Sequence, residues 1–106
     1  MKSGRPIFLF ILILAACGGH QYRVDGDDLI FTLMKPGANR VVLYCSLDGF
    51  KGRPAINESG CWEVRLPADE AFSYFYRVDD RNFLPDCPLM EQDDFGSANC
   101  IFNPRL

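Results

Sequence analysis

A chain of 106 residues with 11 Lys and Arg against 14 Asp and Glu has a formal net charge of −3 and the length of one small domain. The acidic balance excludes nucleic acid and anionic lipid headgroups as natural partners of its surface, since both reward a basic footprint. Five cysteines in so short a chain point to covalent staples around a core that would otherwise be barely sufficient.

Residues 1–16, MKSGRPIFLFILILAA, place Lys2 and Arg5 ahead of an apolar run. That run is well short of the roughly 20 residues a helix needs to cross a bilayer, which predicts a secretion signal rather than a membrane domain. It ends in Leu14-Ala15-Ala16-Cys17, which resembles the lipobox of bacterial lipoproteins. The resemblance implies removal of residues 1–16, acylation of the Cys17 thiol with fatty acids such as palmitate, and a bacterial envelope protein anchored to membrane but not spanning it. Each buried acyl CH₂ contributes about 0.8 kcal/mol, so two or three chains hold such a protein on a membrane. Gly18 follows the cysteine where Asp would favour retention at the inner membrane, so the outer membrane is the expected address in a host that has one.

Without Lys2 and Arg5, nine basic residues face fourteen acidic ones. Cys45, Cys61, Cys87 and Cys100 form an even set in an exported chain and predict two disulfides. Three pairings are open. Cys87 with Cys100 is preferred because it closes a hairpin loop, which leaves Cys45 with Cys61; loops of this size contribute about 3 kcal/mol each. No pair is spaced C-x₂-C, and the single histidine, His20, falls in a Gly-rich stretch read as tether, so neither metal nor another cofactor is expected.

Residues 17–21 are expected to tether a domain spanning 22–106. Tyr22 to Val24 predicts a short edge strand, followed by a turn at Asp25-Gly26-Asp27-Asp28, an acidic run that lacks the remaining ligands of a calcium loop. Leu29, Phe31 and Leu33 alternate in a first full strand, and Pro36-Gly37 stops it. Val41, Leu43, Cys45 and Leu47 share one side of the next strand, and the loop after it carries a solitary aromatic, Phe50. Trp62, Val64 and Leu66 alternate with Glu63 and Arg65, which makes Trp62 a core residue.

Phe72 to Phe102 reads as a long β-hairpin. Phe72, Tyr74, Tyr76 and Val78 take one face of its first strand, and Phe75 is an aromatic on the opposite, polar face. The connection holds Phe83 and Phe95 among Asp, Pro and Gly, and the chain returns as a short strand around Cys100 to Phe102. No 3.6-residue apolar period runs through the chain beyond the signal. The predicted fold is all-β, a two-sheet immunoglobulin-like sandwich of about six to eight short antiparallel strands.

Several ordered elements resemble the glycogen-binding early-set domains of the AMP-activated protein kinase β subunit and of branching and debranching enzymes. LIFTLMKPGANRVVLYCSLDGF is similar to the family's opening strand, Pro-Gly-Ala turn and second strand. CWEVRLP is similar to its G-x-W-x-x-x-L-P element, and VDDRNFLPDCP followed by DFGSANCIF to its C-terminal half. Carried over residue by residue, the resemblance implies a carbohydrate-binding set of Phe50, Phe75, Phe83, Phe95, Ser97 and Asn99. Phe50 and Phe83 stand where sugar-binding members have tryptophan, and Phe75 where they have a lysine.

The function so implied is a lipid-anchored, non-catalytic module that binds an α-glucan or related glycan. The alternative is an envelope protein of the same fold whose phenylalanine surface meets another protein or scaffolds it, a reading that the missing lysine favours. An enzyme is the third reading. Asp79, Asp80, Asp86, Asp93 and Asp94 could supply paired carboxylates, but glycoside hydrolysis needs them in a cleft with one pKa raised, and their loop setting reads as solvated turns.

Overall fold

The structure, a computed structural model, describes residues 17–105. Residues 1–16, where the predicted signal falls, lie outside the described residues. Two antiparallel sheets pack face to face, so the all-β sandwich expected from the alternation is the observed fold.

The first sheet has the order β1-β2-β6-β5, formed by His20–Asp25, Asp28–Met34, Cys61–Pro67 and Ile56–Glu58 respectively. Strand β2 lies between β1 and β6 and is buried on both faces from Leu29 to Leu33, which is why its sequence, LIFTL, is nearly all apolar. The second sheet runs β4-β3-β7-β10-β9, with β3 at Val41–Cys45, β4 at Arg53–Pro54, β7 at Phe72–Val78, β9 at Met90–Gln92 and β10 at Ala98–Phe102. A further short strand, β8 at Arg81–Phe83, pairs with the end of β7.

The core between the sheets is unusually aromatic. Phe31 is 1% exposed and lies among Phe72, Tyr74 and Phe102 with ring centroids 4.8 to 6.1 Å apart, so it joins the two sheets. Such pairs contribute about 0.5 to 1.5 kcal/mol each beyond their buried area. Trp62 packs against the same core, as its spacing predicts, and its indole N–H donates to the Lys35 carbonyl at 3.0 Å. The hairpin expected from Phe72 to Phe102 is present: β7 and β10 pair with Tyr74 opposite Cys100 and Phe72 opposite Phe102.

Ten strands form among the described residues where about six to eight were expected. The additional ones, β4, β5, β8 and β9, are two or three residues long. Their sequences are too short to show an alternation; the backbone of an adjacent strand makes them strands.

The cysteine pairing differs from the expectation at one bridge. Cys87 is bonded to Cys100, as expected, but Cys61 is bonded to Cys17. Cys45 is a free thiol, fully buried in β3. The geometry gives the reason. Cys45 belongs to the second sheet and faces the core, whereas Cys61 stands opposite Met34 at the end of the first sheet. The segment before β1 arrives at that end, where the Met34 N–H donates to the Gly19 carbonyl at 2.8 Å. Residues 17–21 are therefore not a free tether, and His20 is the first residue of a strand.

Burial pushes the Cys45 thiol pKa up. Protein without lipid on Cys17 should therefore resist iodoacetamide under native conditions, and only the Cys45 thiol should be labelled once denaturant is added without reductant. Mass spectrometry that finds Cys61 labelled in such protein would disprove this pairing.

Candidate aromatic site on the second sheet

Side chains along β7 alternate, so Phe72, Tyr74 and Tyr76 enter the core while Ser73, Phe75 and Arg77 face outward. On β3 the same alternation sends Val41, Leu43 and Cys45 inward and leaves Tyr44 outside, directly opposite Phe75. The two rings stack at 5.3 Å between centroids with 10° between planes. Phe50, from the loop between β3 and β4, stacks on Phe75 at 6.1 Å and 22°.

Local chemistry turns that loop back over the sheet. After a single 3₁₀ turn at Ser46–Asp48, Phe50 takes a positive φ of 62° and its N–H donates to the Cys45 carbonyl at 2.9 Å. The Asp48 carboxylate accepts from the Lys51 N–H at 3.2 Å and from Arg53 Nε at 3.0 Å; these bonds hold its pKa below the usual value. Gly52, at φ 88°, lets the backbone cross Tyr44 so closely that a Cβ would lie 2.9 Å from the tyrosine ring.

Asn99 completes the row. It precedes Cys100, the partner of Tyr74, so it sits beside Phe75 on the outer face, with Glu91 of β9 on its other side. Three of the six expected residues, Phe50, Phe75 and Asn99, therefore meet on one face. Tyr44 joins them. Sequence reasoning missed it, although the inward spacing of Val41, Leu43 and Cys45 already assigns Tyr44 to the outside.

The other three lie elsewhere. Phe83 is opposite Tyr76 and packs half-buried against the core, with Lys35 Nζ 4.0 Å above its ring. It faces the opposite side of the sheet from Phe75 and is a core-edge residue, which corrects the expectation that it lines the surface. Its run, RNF, reads as loop until β7 pairs with it. Phe95 is 94% exposed in the turn between β9 and β10 and stacks on no ring among the described residues. Ser97 closes the same turn, where Asp93 accepts from the Phe95 and Ser97 N–H groups, each at 2.9 Å. Asp79 likewise accepts from Asn39 and Arg40 at 2.8 and 2.9 Å, so both carboxylates hold backbone turns together.

A second polar group stands between the sheets. His20 approaches the Thr32 carbonyl through Nδ1 at 3.0 Å and the Tyr74 hydroxyl through Nε2 at 3.0 Å. A carbonyl can only accept, so Nδ1 carries the proton and Nε2 accepts from the tyrosine O–H. Burial lowers the His20 pKa and raises those of Tyr74 and Tyr76. Because the folded His20 binds its proton less readily than the unfolded one, its contribution is complete above the unfolded pKa of about 6.5 and is lost as pH falls below it. Denaturant midpoints should accordingly drop between pH 7.5 and pH 5, and His20→Gln should flatten that slope. An unchanged slope in the variant would assign the pH dependence to other groups.

No protein-family model matches the chain, and no curated protein matches it either.

Proposed function

We propose that this domain is a non-catalytic glycan-binding module of the bacterial envelope, and that its ligand lies on the outer face of the second sheet over Tyr44, Phe50 and Phe75. The observation that carries this reading is the gathering of these rings on one outer face, with Asn99 beside them and Ser73, Arg77 and Glu91 at neighbouring outward positions. Aromatic rings can cover the C–H groups of a pyranose, and an amide can donate to and accept from its hydroxyls. The α-glucan class follows from the early-set resemblance and is part of the proposal. So is the envelope address, which a secretion signal in residues 1–16 would supply and with which two disulfides agree.

One observation favours a protein partner as the second reading. Besides the amide of Asn99, the ring cluster has few neutral hydrogen-bonding groups within its row, a composition closer to the centre of a protein interface than to a polar sugar cleft.

Retention on insoluble starch or glycogen tests the first reading. Wild-type protein should be retained, and Phe75→Ala or Tyr44→Ala should lose at least about tenfold in affinity, the scale of one lost contact worth about 1.4 kcal/mol. Phe83→Ala should bind normally at a temperature where it remains folded. Absence of wild-type retention would overturn the α-glucan assignment. Equal retention of all variants would remove the outer face as the site.

A further inference from the structure

A different surface of the molecule carries a pocket that the glycan reading does not use. His20, Tyr22 and Val24 of β1 stand opposite Leu33, Phe31 and Leu29, so they are on the inward face of their sheet. Tyr22 and Val24 are nevertheless 56% and 59% exposed, because β1 is the sheet's edge. Between β1 and the segment 86–89 lies a half-open pocket of about 660 Å³, within the range of small-molecule sites.

Its walls are aromatic and its segment 86–89 is held in place. The rings of Tyr22 and Phe102 stand at 82° to each other with centroids 5.3 Å apart, forming a corner, and Tyr74 lies at the inner end beside His20. The Cys87–Cys100 bridge ties segment 86–89 to β10, and the Ile101 N–H donates to the Leu89 carbonyl at 2.9 Å. A wall tied at both ends loses little freedom when a ligand enters.

The charge and hydrogen-bonding inventory narrows the ligand. Asp86 is exposed at the pocket and has no hydrogen-bond or ion-pair partner among the described residues. No lysine or arginine lines the pocket, and His20 has both ring nitrogens engaged. The Tyr74 O–H already donates its hydrogen bond to His20. A primary ammonium would have to surrender the hydration of its N–H groups to a site whose side-chain acceptors besides Asp86 are the amides of Gln21 and Asn103, the latter already accepting from the Arg105 N–H, whereas a methylated ammonium is cheaper to desolvate and is attracted both to ring faces and to a carboxylate. We infer that this pocket binds a quaternary ammonium group, seated in the corner of Tyr22 and Phe102 and compensated by Asp86.

Amide NMR of the purified full chain, titrated with choline chloride, tests this. Choline should bind saturably in the millimolar range and shift the amides of Gln21, Tyr22 and Asn103. Its uncharged isostere, 3,3-dimethyl-1-butanol, should bind at least about tenfold more weakly, and Asp86→Asn should weaken choline by a similar factor without moving the denaturation midpoint. Tyr22→Ala should weaken it too. Phe75→Ala should leave choline binding unchanged, which keeps this site separate from the glycan face. Non-saturating shifts, equal binding of the uncharged isostere, or shifts confined to Phe50, Phe75 and Asn99 would each overturn the assignment.

Discussion

Trp62→Ala is expected to lower the free energy of unfolding by about 3 to 5 kcal/mol, the usual cost of truncating a large aromatic in a packed core. The side chain is 7% exposed, it lies in the cluster with Leu33, Leu66 and Tyr74, and its removal also takes away the donor to the Lys35 carbonyl. That carbonyl precedes Pro36, against which Gly60 packs so tightly that a Cβ there would meet the Pro36 Cα at 2.9 Å, so the loss strikes a close-packed corner. Small domains have about 5 to 15 kcal/mol of stability in all, so the variant should be partly unfolded at physiological temperature. Phe83→Ala should cost less, because its ring is only half-buried at the core edge, and Phe50→Ala less again. Urea denaturation of the three variants gives the order directly. A Phe50→Ala variant as unstable as Trp62→Ala would make the outer rings structural and withdraw the reason for calling their face a binding surface.

The fate of the Cys17 sulfur is the second large effect. A thioether to lipid, if the resemblance to the lipobox holds, and a disulfide to Cys61 need the same atom, so no protein molecule can carry both. Intact mass analysis after alkylation of the membrane and soluble fractions should show lipid on Cys17 only in chains whose Cys61 is alkylated, and an intact Cys17–Cys61 bridge only in chains without lipid. A chain that has both lipid on Cys17 and no free Cys61 thiol would contradict the pairing. The energetic consequence is considerable, because the bridge closes a separation of 44 residues. By chain entropy that closure contributes about 4 kcal/mol, more than the about 3 kcal/mol of the Cys87–Cys100 loop. Cys61→Ala should therefore lower the melting temperature of unlipidated protein by many degrees. In lipidated protein the same substitution should cost only the packing of a half-buried thiol.

Much of this architecture was legible from one-dimensional periodicity. The alternation of Leu29, Phe31 and Leu33, of Val41, Leu43 and Cys45, of Trp62, Val64 and Leu66, and of Phe72, Tyr74 and Tyr76 determined four core strands and their inward faces. A period of two follows from strand geometry alone and survives whichever strands become neighbours. It also determined that Phe75 faces outward. Which residues meet across strands is a different kind of information, because it depends on register. Register brought Tyr44 beside Phe75, turned Phe83 toward the core through its pairing with Tyr76, and made β4, β5, β8 and β9 strands from runs too short to have a pattern of their own. The cysteines show the same division. Their number predicted oxidation, but pairing needs Cα atoms about 6 Å apart, and only the fold brings residue 17 to the start of β6 while keeping Cys45 inside the other sheet. His20 was hidden for the same reason: in sequence it follows two glycines and looks like tether, and only the packing of β1 against β2 carries it to Tyr74, in the interior between the sheets.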